Sequence, residues 1–264
     1  MTGPAPAKIN LALVVGPRRA DGKHELLTVY QRLDLGDRIS VEPAPETTVA
    51  GFSEDTIVRA ALDALEAPHG WRVRIDKQIP VAAGLAGGSS DAATALRLAN
   101  AQLDEPRALH EIAARVGADV PFFLQDGPQL GAGDGSELEP LDLPQDFVVL
   151  LLLPKGARKL STADVYAAFD ARGGEAGYED RASALRDALA NVRRPRDLAA
   201  LPPNDLAASP HADELRAHGA FRADVSGAGP AVYGLFHRTA DAKNARRALR
   251  RLGRFWITIP AWYG

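Results

Sequence analysis

The 264-residue sequence predicts an α+β protein in two halves. Three observations carry that expectation. Strand-like and helix-like tracts alternate, but without the repeated βαβ rhythm of a parallel sheet. The proline-bearing stretch 140–146 interrupts the pattern, which restarts with the longest apolar run, FVVLLLLP at 147–154. The composition is that of an ordinary globular chain, 46% hydrophobic and 25% charged, and its length allows one large domain or two modest ones.

The elements follow in order. AKINLALVV (7–15) rises out of a Pro-Ala lead-in as an apolar strand. ELLTVYQRLDLGDRISVEPA (25–44) reads as two strand runs around Leu35-Gly36-Asp37. Residues 55–67 have helical spacing, with Ile57, Ala60, Ala61, Leu62 and Leu65 on one side. WRVRIDKQIP (71–80) alternates apolar and charged residues, which predicts a strand with one wet face. A helix follows from Ser90 to Leu103, with a small-residue face of Ala92, Ala93, Leu96 and Ala99 suited to close packing on a sheet. ALHEIAARVG (108–117) is a second helix that ends at Gly117, a residue that fits the C′ position. The Gly- and Pro-bearing tract up to 144 predicts hairpins or loops. Beyond it come a strand at 147–153, helices near 161–171, 180–191 and 210–218, and a strand pair over 221–236. A helix at 240–252 and a strand at 254–260 end the chain, while RGGEAGYEDR (172–181) reads as an exposed loop.

Bulk properties exclude several classes. The net charge is −3, without the basic excess of a general nucleic-acid binder. The chain has no cysteine, so disulfides and cysteine-ligated metal sites are ruled out. Lys8 and Asn10 interrupt the N-terminal apolar stretch, which predicts no secretory leader. The longest apolar run is too short to span a bilayer and predicts a buried strand. The expectation is a cytoplasmic protein with a small-molecule partner, no nucleic-acid or membrane partner, and a monomeric or weakly dimeric state.

One stretch points to chemistry. In IPVAAGLAGGSSDAATALRLAN (79–100), Gly84, Gly87 and Gly88 crowd just ahead of a helix start. Glycines permit turns and close approach, and a helix start offers unpaired N–H groups at the positive end of a dipole. Together they suit an anion, most often phosphate. A tight loop capped by Ser89 or Ser90 is the bland alternative. A Walker loop would need a lysine after the last glycine, and here Ser89-Ser90-Asp91 follows Gly88. The glycine spacing does not match a dinucleotide-binding turn, and no D-F-G segment occurs.

PVAAGLAGGSSDAA (80–93) resembles the phosphate loop of the GHMP small-molecule kinases. PAKINLALVV (6–15) is similar to that family's N-terminal motif, and SGAGPAVYGLF (226–236) to its C-terminal glycine motif. Three motifs in order over nearly the whole chain are far more specific than any one loop. Within the superfamily, DGKHEL (21–26), GADVPFFL (117–124) and NDL (204–206) resemble the branch that phosphorylates a hydroxyl of a cytidine-diphosphate-linked methylerythritol in the non-mevalonate isoprenoid precursor pathway. The resemblance implies a two-domain GHMP kinase fold. Residues 1–145 would form a ribosomal-protein-S5-like, ATP-binding half, and residues 146–264 a ferredoxin-like half. It implies ATP and Mg²⁺ as cofactors.

It also implies roles for residues. Lys8 and Asp119 would be catalytic, and the pairing makes sense: a lysine beside a carboxylate and an acceptor oxygen favours charged forms and stabilises developing negative charge. Whether Asp119 takes the proton or only orients the hydroxyl stays open. The bland readings are a turn residue for Asp119 and a solvated edge lysine for Lys8. Asn10 shares a strand face with Lys8 by period two. Asn10, His24 and Tyr166 would bind the substrate. Lys77, Ala82, Ala83, Gly84, Leu85, Ala86, Gly87, Gly88, Ser89 and Ser90 would bind ATP, with Ser89 or Ser90 also near the metal. Asn204 and Asp205 would brace the site or the domain junction, and Gly227 and Gly229 would let the second half close over the phosphates or the substrate, a glycine-mediated strand bend being the bland alternative.

Three departures from the family pattern stand out. Lys23 replaces a tyrosine that packs on the cytosine. Ala86 replaces a glycine, which a methyl tolerates only at negative φ. Ala228 replaces a hydroxyl residue. The competing readings are a GHMP-type kinase of another small alcohol, such as mevalonate or homoserine, and a catalytically silent nucleotide-binding sensor.

Overall fold

The structure is a computed structural model that describes residues 1–52, 57–157 and 161–261. Among the described residues the first sheet has six strands: β1 (Thr2–Arg18), β2 (His24–Ala44), β3 (Thr48–Ala50), β4 (Gly70–Asp76), β5 (Gln129–Gly133) and β6 (Glu137–Pro140). β1 and β2 form a long antiparallel ribbon with register shifts at Pro6/Lys8, Asn10/Ala12 and Val15/Arg18. The other edge of β2 is shared, since β5 pairs with residues 26–30 and β4 with residues 38–44. The two runs expected on either side of Gly36 are therefore one continuous strand. Gly36 makes the passage possible, because a Cβ there would lie 2.9 Å from the Ala5 carbonyl oxygen.

Three helices cover this sheet: α1 (Ile57–Ala64), α2 (Gly87–Asn100) and α3 (Leu109–Val116). The start expected for α1 at 55 lies outside the described residues. Ala92, Ala93, Leu96 and Ala99 are buried as the small-residue face requires, within a core that includes Ile39, Trp71, Val73, Leu62 and Phe122. β4 follows its alternation, burying Trp71, Val73 and Ile75 while Arg72, Arg74 and Asp76 face water.

The second sheet has four strands, β7 (Val148–Pro154), β8 (Arg222–Val225), β9 (Val232–Phe236) and β10 (Gly253–Thr258), in the order β10-β7-β9-β8. With the helices between them this is a β-α-β-β-α-β, ferredoxin-like arrangement. α6 (Pro210–Ala217) and α7 (Thr239–Leu249) cover its outer face. Its inner face meets the first sheet, where Ile9, Leu11, Leu27 and Val29 pack with Val149, Leu151, Tyr233 and Leu235. α4 (Thr162–Ala171) and α5 (Tyr178–Ala190) lie against the β1–β2 ribbon. α5 takes in the end of the stretch expected to be loop. A 3-10 turn, Pro195–Ala200, and the short strand β3 carry no apolar periodicity that would announce them. The Arg222 guanidinium is buried where the sheets meet, donating to the carbonyls of Leu198 (3.2 Å), Leu201 (2.6 Å) and Pro202 (2.9 Å). Among the described residues no helix is long and apolar enough to cross a membrane.

Candidate active site

A cavity of about 500 Å³ opens between the two halves, and its floor is the loop that joins β4 to α2. That loop is held in left-handed turns at Ala82 (φ 62°), Gly84 (φ 84°) and Ala86 (φ 53°). The negative φ expected of Ala86 is not found. Alanine at this angle costs roughly 1–2 kcal/mol by contact of its Cβ with the backbone. Ala86→Gly is expected to relieve about 1 kcal/mol of that cost and raise the thermal midpoint by a few degrees. A lowered midpoint in a melting curve would contradict the left-handed turn.

Ala86 also sets where the helix begins. α2 starts at Gly87, three residues before the expected Ser90, and its N-cap residue makes no side-chain hydrogen bond. Neither serine caps it. An alanine cap has no side-chain oxygen to satisfy the first amides, and Gly87, Gly88 and Ser89 line the cavity mouth. Ser90 departs from the expected set: its N–H bonds the Ala86 carbonyl at 3.0 Å, and its hydroxyl is fully buried away from the cavity.

The second half grips the loop from above. Ser226 Oγ donates to the Gly84 carbonyl at 3.0 Å, and the Ala231 N–H donates to the Ala83 carbonyl at 3.0 Å. A Cβ on Gly84 would stand 2.3 Å from the Ser226 carbonyl oxygen, and one on Gly229 would stand 2.3 Å from the Gly84 nitrogen. Asn204 fixes the glycine turn, its amide donating to the carbonyls of Val225 (3.1 Å) and Gly227 (2.7 Å). Asp205 ties this segment to β1 by accepting from the Val15 N–H at 2.9 Å.

Lys8 and Asn10 lie between two bulges of β1, and bulges re-aim side chains. The Lys8 N–H reaches the loop directly, donating to the Leu85 carbonyl at 3.1 Å. Its ammonium donates to Asn10 Oδ1 at 2.7 Å and lies 3.6 Å from Asp119 Oδ2. Asn10 is oriented in turn, since its Nδ2 donates to Thr28 Oγ1 at 2.8 Å and that hydroxyl donates to the Ala12 carbonyl at 2.8 Å. Asp119 follows α3 through Gly117, which is extended (φ 177°) rather than the left-handed C′ residue expected. The buried Arg32 anchors the next turn by donating to the carbonyls of Phe122 and Gln125. Tyr30, opposite Asn10 in the ribbon, holds its proton well above the ordinary phenol range, first through burial and then through the adjacent Asp119 carboxylate. Burial and Asp119 raise Tyr166 in the same way. Asp119 therefore sits among one ammonium and two neutral phenols.

Lys77 lies beneath the helix mouth, where a Cβ on Gly87 would be 3.2 Å from its Nζ. The ammonium donates to Asp37 Oδ2 at 2.6 Å and Asp91 Oδ2 at 2.7 Å. Burial opposes the charge on Lys77, but the two carboxylates outweigh it and raise its pKa. Burial drives the Asp91 carboxyl up to about 8 against the pull of Lys77, and its Oδ1 has no hydrogen-bond partner.

His24 stands just outside the described lining. It is buried and stacks behind Tyr166 with ring centroids 4.7 Å apart. Tyr166 itself faces the cavity. Lys23 turns away to pair with Asp134. Lys8, Asn10, Lys77, Asp119, Tyr166 and residues 82–89 all line the one cavity. Thr28, Tyr30, Asp37 and Asp91 were not singled out from sequence. Strand period puts Thr28 and Tyr30 on one face, but the register that sets them against Lys8 and Asn10 is a long-range property.

For Mg²⁺, the fitting side chain is Ser89, whose residue lines the cavity beside the mouth. No cluster of three or more His, Cys, Asp or Glu suited to a metal occurs among the described residues. One hydroxyl suits an ion held mainly by substrate phosphates.

Comparisons with known proteins agree with this fold. The family model for the GHMP kinases N terminal domain matches residues 55–127, and that for the GHMP kinases C terminal matches residues 212–254. The chain is 40% identical over 261 residues to the 4-diphosphocytidyl-2-C-methyl-D-erythritol kinase of Anaeromyxobacter sp. (strain Fw109-5), covering 92% of this chain and 84% of that one. It is 39% identical over 277 residues to the enzyme of the same name from Moorella thermoacetica (strain ATCC 39073 / JCM 9320), covering 96% and 94%. A crystal structure of 4-(cytidine 5'-diphospho)-2C-methyl-D-erythritol kinase superposes with a TM-score of 0.78 at 33% identity, covering 99% of this chain and all of that one. Shared identity at this level over nearly the whole length settles the family: the chain belongs to the 4-diphosphocytidyl-2-C-methyl-D-erythritol kinases of the GHMP kinase superfamily.

Proposed function

We propose that the chain transfers the γ-phosphoryl group of ATP to a hydroxyl of 4-diphosphocytidyl-2-C-methyl-D-erythritol, and that Lys8 and Asp119 carry the transfer. The observation that carries this reading is the 3.6 Å pair of Lys8 and Asp119 in the same cavity as an uncapped helix mouth. The amides of Gly87, Gly88 and Ser89 receive the phosphates. Bound with the nucleotide, Mg²⁺ would neutralise phosphate charge, with the Ser89 hydroxyl as its protein ligand. Phe52, Ile57 and Val81 line the same cavity and offer the adenine an apolar wall; Val81 is 57% exposed.

Phosphoryl transfer to an alcohol is mostly positioning and charge stabilisation. Asp119 orients the acceptor hydroxyl and takes its proton as the new O–P bond forms and the bond to the leaving diphosphate breaks. Lys8 stabilises the negative charge, and Asn10 holds Lys8 on that line. Residues 1–145 and 146–264 are the two domains of this reading, with the alcohol between them.

Lys23, tied to Asp134, leaves Tyr166 as the aromatic face for the cytosine. That departure favours testing the competing alcohols directly. In a panel with ATP, phosphorylated product is expected from the cytidylyl alcohol and not from mevalonate or homoserine; product from either of those instead overturns the substrate. Tyr166→Ala is expected to raise the KM for the cytidylyl alcohol by ~10-fold, the value of one stacked base, with the KM for ATP unchanged. An unchanged alcohol KM would make Tyr166 a packing residue.

A further inference from the structure

We infer that Asp37 is a positioning residue for the phosphates of ATP: from β2 it fixes the entry to the phosphate loop and, through Lys77, ties that entry to the helix beyond it. The inference rests on the function proposed above and adds to it a residue that does not line the cavity. Asp37 is buried, one residue past Gly36 in the stretch of β2 that pairs with Ala5. Both of its oxygens are used. Oδ1 accepts from the Gln78 N–H and, at 2.8 Å, from the Ile79 N–H, while Oδ2 accepts from the Lys77 ammonium at 2.6 Å. One carboxylate therefore holds three consecutive residues where the chain leaves β4. Lys77 passes the grip on, because the same ammonium bonds Asp91 Oδ2 at 2.7 Å, two residues past the amides of the mouth. The two ends of the loop are thus pinned to one point of β2.

The loop needs such a frame. Ala82 and Ala86 are held at positive φ without being glycine, and conformations of that kind persist only where the surroundings over-determine them. The Lys8 N–H holds the Leu85 carbonyl, and Ser226 and Ala231 hold those of Gly84 and Ala83. None of these contacts reaches residues 77–79, which Asp37 holds. Amides already aimed at the phosphates bind them without an ordering cost. Charge alone points the other way. Asp37 is an anion beneath the mouth, so by Coulomb's law its removal strengthens the hold on a polyphosphate. Loss of the frame weakens that hold. The two effects differ in sign, and the positioning role requires the second to win.

The experiment measures the dissociation constants of ATP and of adenosine, without the alcohol, for wild type, Asp37→Asn and the double variant Asp37→Asn/Lys77→Met. Asparagine keeps the shape and one oxygen for the backbone amides, but has no second oxygen for Lys77. Asp37→Asn is expected to weaken ATP binding by ~10-fold and to leave adenosine unchanged, because adenosine has no phosphate for the loop to hold. Tighter binding of ATP, as charge alone requires, overturns the inference. Equal weakening of ATP and adenosine also overturns it, since that marks a general loosening of the cavity. The double variant separates charge from position again. It is neutral at both sites, so charge alone returns it to wild-type affinity for ATP, whereas the positioning role leaves it ~10-fold weaker. It also carries the comparison if Asp37→Asn fails to fold, because removing both members of a buried pair leaves no uncompensated cation. A second readout needs no nucleotide: the amide resonances of Gly84, Gly87 and Gly88 shift in both variants, and unmoved resonances overturn the inference. Should the wild type bind no ATP, the proposed function fails, and these resonances still decide whether Asp37 holds the loop.

Discussion

Asp119→Asn lowers kcat by ~10²–10⁴-fold, the range of a positioned acid–base group, and leaves the fold and the KM for ATP intact. The Asp119 side chain is one-third exposed, and Asn has nearly its shape, so little packing is lost. What is lost is, among the described residues that line the cavity, the one carboxylate beside Lys8 that can accept the hydroxyl proton. Tyr30 and Tyr166 both hold their protons above the ordinary phenol range, so neither phenol substitutes for it. The Lys8 ammonium keeps its bond to Asn10 but faces a neutral amide where it faced a carboxylate. The measurement is steady-state turnover with saturating ATP, beside a melting curve of the same preparation. Turnover within a few-fold of wild type with an unchanged melt would take Asp119 out of the chemistry and leave Lys8 as the group that matters.

Local signals in the sequence go far toward this arrangement, and stop where it depends on pairing between distant segments. The small-residue face of α2, the alternation of β4 and the buried run of β7 are periodic over a single element, so they can be read along the chain. The glycine loop announces an anion site because backbone freedom and a helix start are both local. The errors have a common cause. Gly36 looked like a turn between strands, but the Ala5 backbone passes so close that only glycine lets the ribbon continue. Ser90 looked like a cap or a ligand, but the left-handed Ala86 starts the helix earlier and turns Ser90 into its first turn. The surroundings of His24 are equally long-range: α4, more than a hundred residues away, brings Asp170 and Tyr166 to it. Tyr30 and Asp37 were invisible for the same reason: each gains its meaning from the segment that folds against it.

The second large effect concerns Lys77, and it has an opposite-signed partner in Asp91. Two buried carboxylates, Asp37 and Asp91, share one ammonium beneath the mouth where the phosphates are proposed to sit. Lys77→Met removes the cation and leaves the Asp37 carboxylate buried without it, a change that costs ~3–5 kcal/mol. It also raises the KM for ATP, since the cavity floor becomes more negative. Asp91→Asn removes a charge that forms only as the pH rises and leaves the Lys77–Asp37 pair balanced at every pH. The pH dependence gives the sign. Asp91 ionises near 4 in the unfolded chain but is pushed up to about 8 in the fold, chiefly by burial. Between those values the folded chain holds a proton that the unfolded chain has released, so the contribution of this site to stability is full below pH ~4, falls as pH rises, and is lost above about 8. An asparagine cannot ionise, so the fall disappears. Urea unfolding from pH 5 to pH 9 is therefore expected to show Asp91→Asn gaining on wild type as pH rises, and Lys77→Met losing least at acid pH, where Asp91 holds its proton. A Lys77→Met protein with the wild-type urea midpoint at neutral pH, or an Asp91→Asn protein that loses ground as pH rises, would show that the charges beneath the loop are already neutralised by something other than each other.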